Sequence, residues 1–176
     1  MATILTTTYD SVTDSNAIAI TLASLASSST FIVGRNSTIV SNISNQFIDC
    51  LVSGQVTVGT NPTVDKQIAV YVYAPIKIAS STFSYPIATT TMLTESDAAA
   101  TFEAYQLQQL RLAATANVIA TSDRAYAFEP FSVSALFGGV LPPKWGIYVA
   151  HNTGQNLNAT AGNHWFHYTG VKYTST

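Results

Sequence analysis

The three histidines of the chain fall close together, at His151, His164 and His167. With Asp123 or Glu129 they could hold a zinc ion, which takes imidazole and carboxylate ligands in a tetrahedral shell. Spacing weighs against this. On a strand His164 and His167 point to opposite faces, because side chains alternate with period two. Beside Trp165, Phe166 and Tyr168, an imidazole that packs and makes one hydrogen bond is expected instead. Asp10 and Asp14 suggest calcium, but that ion wants about six to eight fixed oxygens, more than an irregular arm supplies. Asp49 lies between Phe47 and Leu51 on one strand face. A carboxylate half-buried there needs partners, and Arg35 or Arg124 could provide a bidentate one; a solvent-facing Asp49 is the alternative.

Motifs that carry catalysis are missing. There is no phosphate-cradling Gly-rich Lys loop, no Gly-x-Ser-x-Gly elbow, no His-Glu-x-x-His and no EF-hand loop. The nine acids are spread singly apart from Glu95 and Asp97, unlike the paired carboxylates of a sandwich hydrolase. Cys50 is the only cysteine, so an intramolecular disulfide is excluded, and its neighbours Ile48 and Val52 make it a buried small hydrophobe. Tyr71, Tyr73, Tyr148 and Trp165 could stack on sugar rings, although core or subunit-interface positions are the plainer expectation. The expectation is a non-enzymatic protein with no catalytic residues, no metal and no cofactor.

The elements that would position these residues follow from composition and pattern. Hydrophobic residues make up 47% of the 176 and charged ones only 9%, against roughly 25% charged in an ordinary soluble domain. Thr, Ser and Asn fill the difference, and Thr with β-branched and aromatic residues favours strands. Such a surface suits a protomer that hides area in contacts. A net charge of −2 with seven scattered Lys and Arg leaves no footprint for nucleic acid. The opening residues Met1 to Asp10 lack the pattern of a secretory signal, and no stretch reaches the roughly 18 apolar residues of a membrane span. A chain made and used in soluble form is therefore expected, with the sequons at Asn36, Asn42 and Asn158 as chance products of composition.

Residues 1–16 read as an extended arm or edge segment, and 17–176 as a single domain. Ile18 to Leu25 fits helix or strand equally. Asn45 to Val58 alternates as a strand, with Gly54 marking a bulge or kink. Gln67 to Tyr73 alternates Ile68, Val70 and Val72 against Ala69, Tyr71 and Tyr73, and across the turn at Gly59 to Thr63 the two strands read as a hairpin or near-hairpin. Aromatics on the second face imply that it packs against a neighbour. Residues 74–100 form a long insertion or loop, with Thr94, Ser96 or Asp97 placed to cap a short helix over Ala98 to Leu107. Strands follow near Leu107 to Ala120, whose alanines leave a helical reading open, and near Ala125 to Ser134, Trp145 to Val149 and His164 to Tyr173. The sum is an all-β, jelly-roll-like β-sandwich with room for one short helix.

Three stretches resemble small virion structural proteins of tailed phages: Thr21 to Thr38, Phe131 to Val140 (Phe-Ser-Val-Ser-Ala-Leu-Phe-Gly-Gly-Val), and Trp145 to Gly154 together with Tyr168 to Val171. The likeness covers about half of the chain and is one of phrase and order. It implies a capsid cement or decoration protein on the outer surface of the virion, made in the host cytoplasm. Such a protein bridges neighbouring copies of the major capsid protein and often assembles as a dimer or trimer. On that reading the candidate capsid or subunit contacts are Tyr9, Asp10, Arg35, Pro86, Trp145 and Trp165. A head- or tail-fibre component that binds a host-surface glycan is the alternative. Neither reading calls for nucleic acid or membrane.

Overall fold

The computed structural model describes residues 5–10, 16–79 and 82–175. In chain order the strands are β1 (Leu5–Tyr9), β2 (Val33–Asn36), β3 (Val40–Ser41), β4 (Asp49–Thr57), β5 (Lys66–Tyr73), β6 (Lys77–Ala79), β7 (Thr82–Ser84), β8 (Ile87–Ala88), β9 (Thr91–Met92), β10 (Ala98–Thr101), β11 (Arg111–Val118), β12 (Ala125–Ser132), β13 (Lys144–His151) and β14 (Trp165–Ser175). One α-helical turn, α1, spans Val133–Leu136, and 3-10 turns span Ala104–Gln109 and Ala161–Asn163.

Two antiparallel sheets face each other, in the orders β1-β14-β4-β12 and β10-β2-β13-β5-β11, with β3 beside the start of β13. Among the eight principal strands, β1 pairs with β14, β2 with β13, β4 with β12 and β5 with β11. First meets last and the fourth meets the fifth, as when one long hairpin is wrapped into two layers. That is the jelly-roll form of a β-sandwich, and the all-β expectation holds.

The expected hairpin between Asn45–Val58 and Gln67–Tyr73 does not form. β4 pairs with β12 and β14, while β5 pairs with β11 and β13 in the opposite sheet. Alternation sets which side of a strand faces the core but says nothing about its lateral partner. Gly54 does mark a bulge, but the extra residue is in its partner: β4 runs in unbroken register past Phe166 of β14, while β12 breaks register between Phe128, which faces Gly54, and Phe131. A Cβ at Gly54 would collide with the Phe166 ring, so close ring packing requires glycine here.

Between the sheets lies one core, built from Cys50, Val52 and Val56 of β4, Ile68, Val70 and Val72 of β5, Trp145, Ile147 and Val149 of β13, and Phe166 of β14. Ile18 and Leu22 join it from a segment that is neither helix nor strand. A second cluster covers the outer face of the second sheet, where Tyr73 and Tyr148 are buried under Tyr85, Leu93, Phe102 and Leu110. Phe102 meets Tyr148 edge to face at 5.1 Å, and Tyr85 meets Tyr73 at 6.2 Å, contacts worth about 0.5–1.5 kcal/mol each beyond burial. The aromatic face of β5 is thus packed rather than wet, as its alternation implied, and the cover comes from the chain's own residues 82–110. With both faces buried, β13 reads as the near-continuous apolar run Trp-Gly-Ile-Tyr-Val-Ala.

The segment expected to be a long insertion or loop is an insertion with the short strands β6 to β10, and the helix expected over Ala98 to Leu107 is replaced. Ala98–Thr101 pairs with β2 as a strand, and a 3-10 turn starts only at Ala104. Three of the four residues of β10 are alanines, whose helix propensity is overridden by the hydrogen bonds that β2 offers. Gln106 then closes the turn, its Oε1 accepting from Glu103 N at 2.8 Å. The short helix is α1 instead, capped by Ser132 Oγ, which accepts from Ala135 N at 3.1 Å.

Candidate docking face

The two outer faces differ in kind. That of the second sheet is sealed by residues 82–110, whereas that of the first sheet is left bare by the described residues over much of its width. Register places Trp165, His167, Thr169 and Tyr173 of β14 on this bare face, and Val171 on the same side but buried. Gln55, Ser53 and Leu51 of β4 stand beside them, with Ala125 and Ala127 of β12 on one flank and Leu5, Thr7 and Tyr9 of β1 on the other. The alternate residues Val52, Gly54, Val56, Phe166 and Gly170 point inward and are buried. Period-two alternation is therefore what assembles the face.

The face is apolar and hydroxyl-rich, and its charge lies toward its margins, with Glu129 exposed at the register break of β12 on one flank. Asp49 at its end is tied down: its Oδ1 accepts from Cys50 N and from Ser134 N in α1, both at 2.8 Å. The arginine partners expected for Asp49 lie elsewhere. Arg35 pairs with Asp97, and Arg124 lies over the Tyr126 ring at 6.0 Å. Lys172 and Asp10 approach to 3.7 Å at the β1 margin. His167 leans on Trp165 with ring centroids 5.6 Å apart, and its Nδ1 is buried with no partner among the described residues.

The expected contact residues separate into two groups. Tyr9 and Trp165 are exposed on the bare face, and Asp10 lies beside it. Trp145 is fully buried in the core and Pro86 is buried next to Tyr85 of the second cluster, so neither offers surface to a partner. Trp145 packs edge to face on Tyr168 at 5.9 Å; a large aromatic in an alternating strand is equally a core residue and an anchor until the layers are known. Arg35 sits between β10 and β13, half-buried and committed to Asp97. Gln55, Ser53 and Tyr173 were missed, although their period-two offsets from Trp165 and from the inward valines marked the same face.

The sugar-stacking set does not assemble. Tyr73 and Tyr148 are buried, Tyr71 is half-buried in the second sheet, and Trp165 alone is exposed on the first. A polar cleft of about 520 Å³ opens at the loop end, lined by Ser24, Thr60, Asp123, Gln155 and Asn158 among others, with no ring in its lining. Asn158 Nδ2 donates to Asp123 Oδ1 across it at 2.7 Å.

The histidines also part company. His151 is buried, with Nδ1 2.9 Å from Thr153 Oγ1 and Nε2 3.0 Å from Leu25 O. Burial pulls its pKa down to about 4. His164 Nε2 lies 2.9 Å from Asn158 O, and burial lowers this residue too. Among the described residues no group of three or more His, Cys, Asp or Glu side chains is placed to hold a metal; Asp14 lies outside them. Burial, with Asp49 alongside, pushes the Cys50 thiol up to about 12, so at neutral pH it is a protonated core group. Among the described residues no helix is long and apolar enough to cross a membrane.

No protein family, curated protein or solved structure matches the chain.

Proposed function

We propose that this protein is a virion structural component that acts as a capsid cement, laying the bare face of its first sheet across neighbouring capsid subunits. One observation carries the reading: of the two outer sheet faces, one is sealed by the chain's own insertion, while the other is left wide and uncovered by the described residues, with its charge toward the margins. Such a face docks at modest desolvation cost, since few ions must be stripped of water. Repeated over a shell, many weak contacts sum to large mechanical resistance. The jelly roll is a fold used by viral capsid proteins and by lectins alike, so the fold favours a virion role without selecting one.

The test is to mix the purified protein with undecorated tailed-phage capsids and image them. Ordered density at subunit junctions is expected, and Ser53→Lys, which puts a charge at the centre of the face, should weaken binding about tenfold, the equivalent of about 1.4 kcal/mol. The polar cleft at Asp123 and Asn158 supports a second reading, a fibre component that binds a host glycan through hydrogen bonds. Absence from capsids together with saturable glycan binding would replace the first reading with the second.

A further inference from the structure

We propose that the outer edge of β1, which no other described strand pairs, is a self-association surface, pairing antiparallel with the same edge of a second copy about a two-fold axis at Thr7. The argument starts from hydrogen bonds. Asp10 N donates to Gly170 O at 2.7 Å, and the β1–β14 register is unbroken from Leu5 to Tyr9. Antiparallel pairs alternate, so Thr6 and Thr8 turn their backbone groups toward β14 while Leu5, Thr7 and Tyr9 turn theirs outward. Three consecutive outward donor and acceptor sets therefore stand along a regular edge.

An edge of this kind invites pairing with another chain, and proteins ordinarily blunt it with charge, proline, a bulge or a cover. The other sheet edges carry such devices. β12 has Glu129, Pro130 and the register break between Phe128 and Phe131. β11 has Arg111 and a break between Leu112 and Ala114. Over β10 the β8–β9 hairpin closes in, with Thr89 Oγ1 donating to Thr101 O at 2.5 Å. β1, Leu-Thr-Thr-Thr-Tyr, has no charge, no proline and no bulge.

The sequence of β1 selects a second copy as occupant, because the strand is complementary to itself. Antiparallel pairing centred on Thr7 sets Thr7 against Thr7 and Leu5 against Tyr9 of the other copy. It forms about six backbone hydrogen bonds from the outward sets. Leu5 and Tyr9 are 63% and 65% exposed in the single chain, and aromatic–aliphatic cross-strand pairs of this kind stabilise sheets. The same surface on both partners is the isologous arrangement of a two-fold dimer. Both four-stranded sheets then join edge to edge, and because Leu5, Thr7 and Tyr9 lie on the bare face, the two faces become continuous. The inference deepens the assembly role proposed above and rests on it only for the use made of the joined face; self-association is read on the isolated protein, apart from any capsid.

Sedimentation equilibrium of the full chain should show a reversible dimer. Thr7→Pro removes an outward N–H while leaving the Thr6 and Thr8 bonds to β14 in place, and should raise the dimer dissociation constant at least about tenfold. Opposed Thr7 residues in a hydrogen-bonded pair lie about 5.5 Å apart at Cα, within disulfide reach. Thr7→Cys should therefore form an intermolecular disulfide on mild oxidation, and Thr6→Cys, on the other side of the strand, should not. A monomeric wild type, a dimer untouched by Thr7→Pro, or equal cross-linking of the Thr6→Cys and Thr7→Cys variants would each overturn the proposal.

Discussion

Lys144 Nζ donates to both carboxylate oxygens of Glu95, at 2.8 and 3.0 Å, and Tyr85 Oη donates to the same carboxylate at 2.8 Å. Lys144 begins β13 and Glu95 belongs to the insertion, so this cluster fastens the cover to the sheet that it seals. Arg35 of β2 and Asp97 make a second tether two residues on.

The first prediction concerns that tether. Glu95→Gln should loosen the insertion but cost no more than about 1 kcal/mol, because the carboxylate is half-exposed and solvent screens the pair. The Lys144 and Tyr85 hydrogen bonds hold the Glu95 carboxyl below its ordinary range. Its contribution is present above that range and is lost as pH falls through the lowered value. Hydrogen exchange across residues 82–101 should quicken in the variant while the exchange of β4 stays unchanged.

His151 sets a second acid dependence, with a different window. Burial lowers its pKa from 6.5 to about 4, so the unfolded chain takes up a proton first. Stability is complete above pH 6.5 and falls as pH drops toward 4, by about 3 kcal/mol in all. Denaturant melts across this range should show the decline. In His151→Gln stability should be lower at neutral pH and the slope shallower, the remainder coming from His164. An unchanged slope would contradict the assignment.

Gly54→Ala should destabilise by about 1–3 kcal/mol, since the added methyl meets the Phe166 ring. If ring contact is the cause, the double variant with Phe166→Leu loses less than the sum of the two single changes. Strict additivity in thermal melts would refute this account.

Asp49 gives the fourth prediction. Its Oδ1 joins the start of β4 to α1 through Ser134 N, so Asp49→Ala leaves two amides without that acceptor and should cost about 1–3 kcal/mol in urea unfolding. Asp49→Asn retains a carbonyl oxygen and should cost less.

The sequence was most informative where period two operates alone. The set Ile68, Val70 and Val72 is buried on one face as its alternation implies, and Phe166 and Trp165 lie on opposite faces. His164 and His167 were separated on the same ground. The candidate site was legible only in part: Trp165 and Tyr9 lie on the open face, but Trp145 and Pro86 went inside. Burial of an alternating aromatic depends on what covers its side of the sheet, and that cover comes from residues far away in the chain.

Pattern and composition by themselves determined an all-β sandwich with low surface charge and no local catalytic motif, because alternation and propensity are properties of neighbouring residues. Tertiary structure alone decided that β4 and β5 lie in opposite sheets, that Ala98–Thr101 is a strand, that Asp49 serves backbone amides, and that the insertion seals one face and leaves the other open. Each of these depends on lateral hydrogen bonding or on packing between distant segments, and a backbone amide carries no mark of which strand will accept from it.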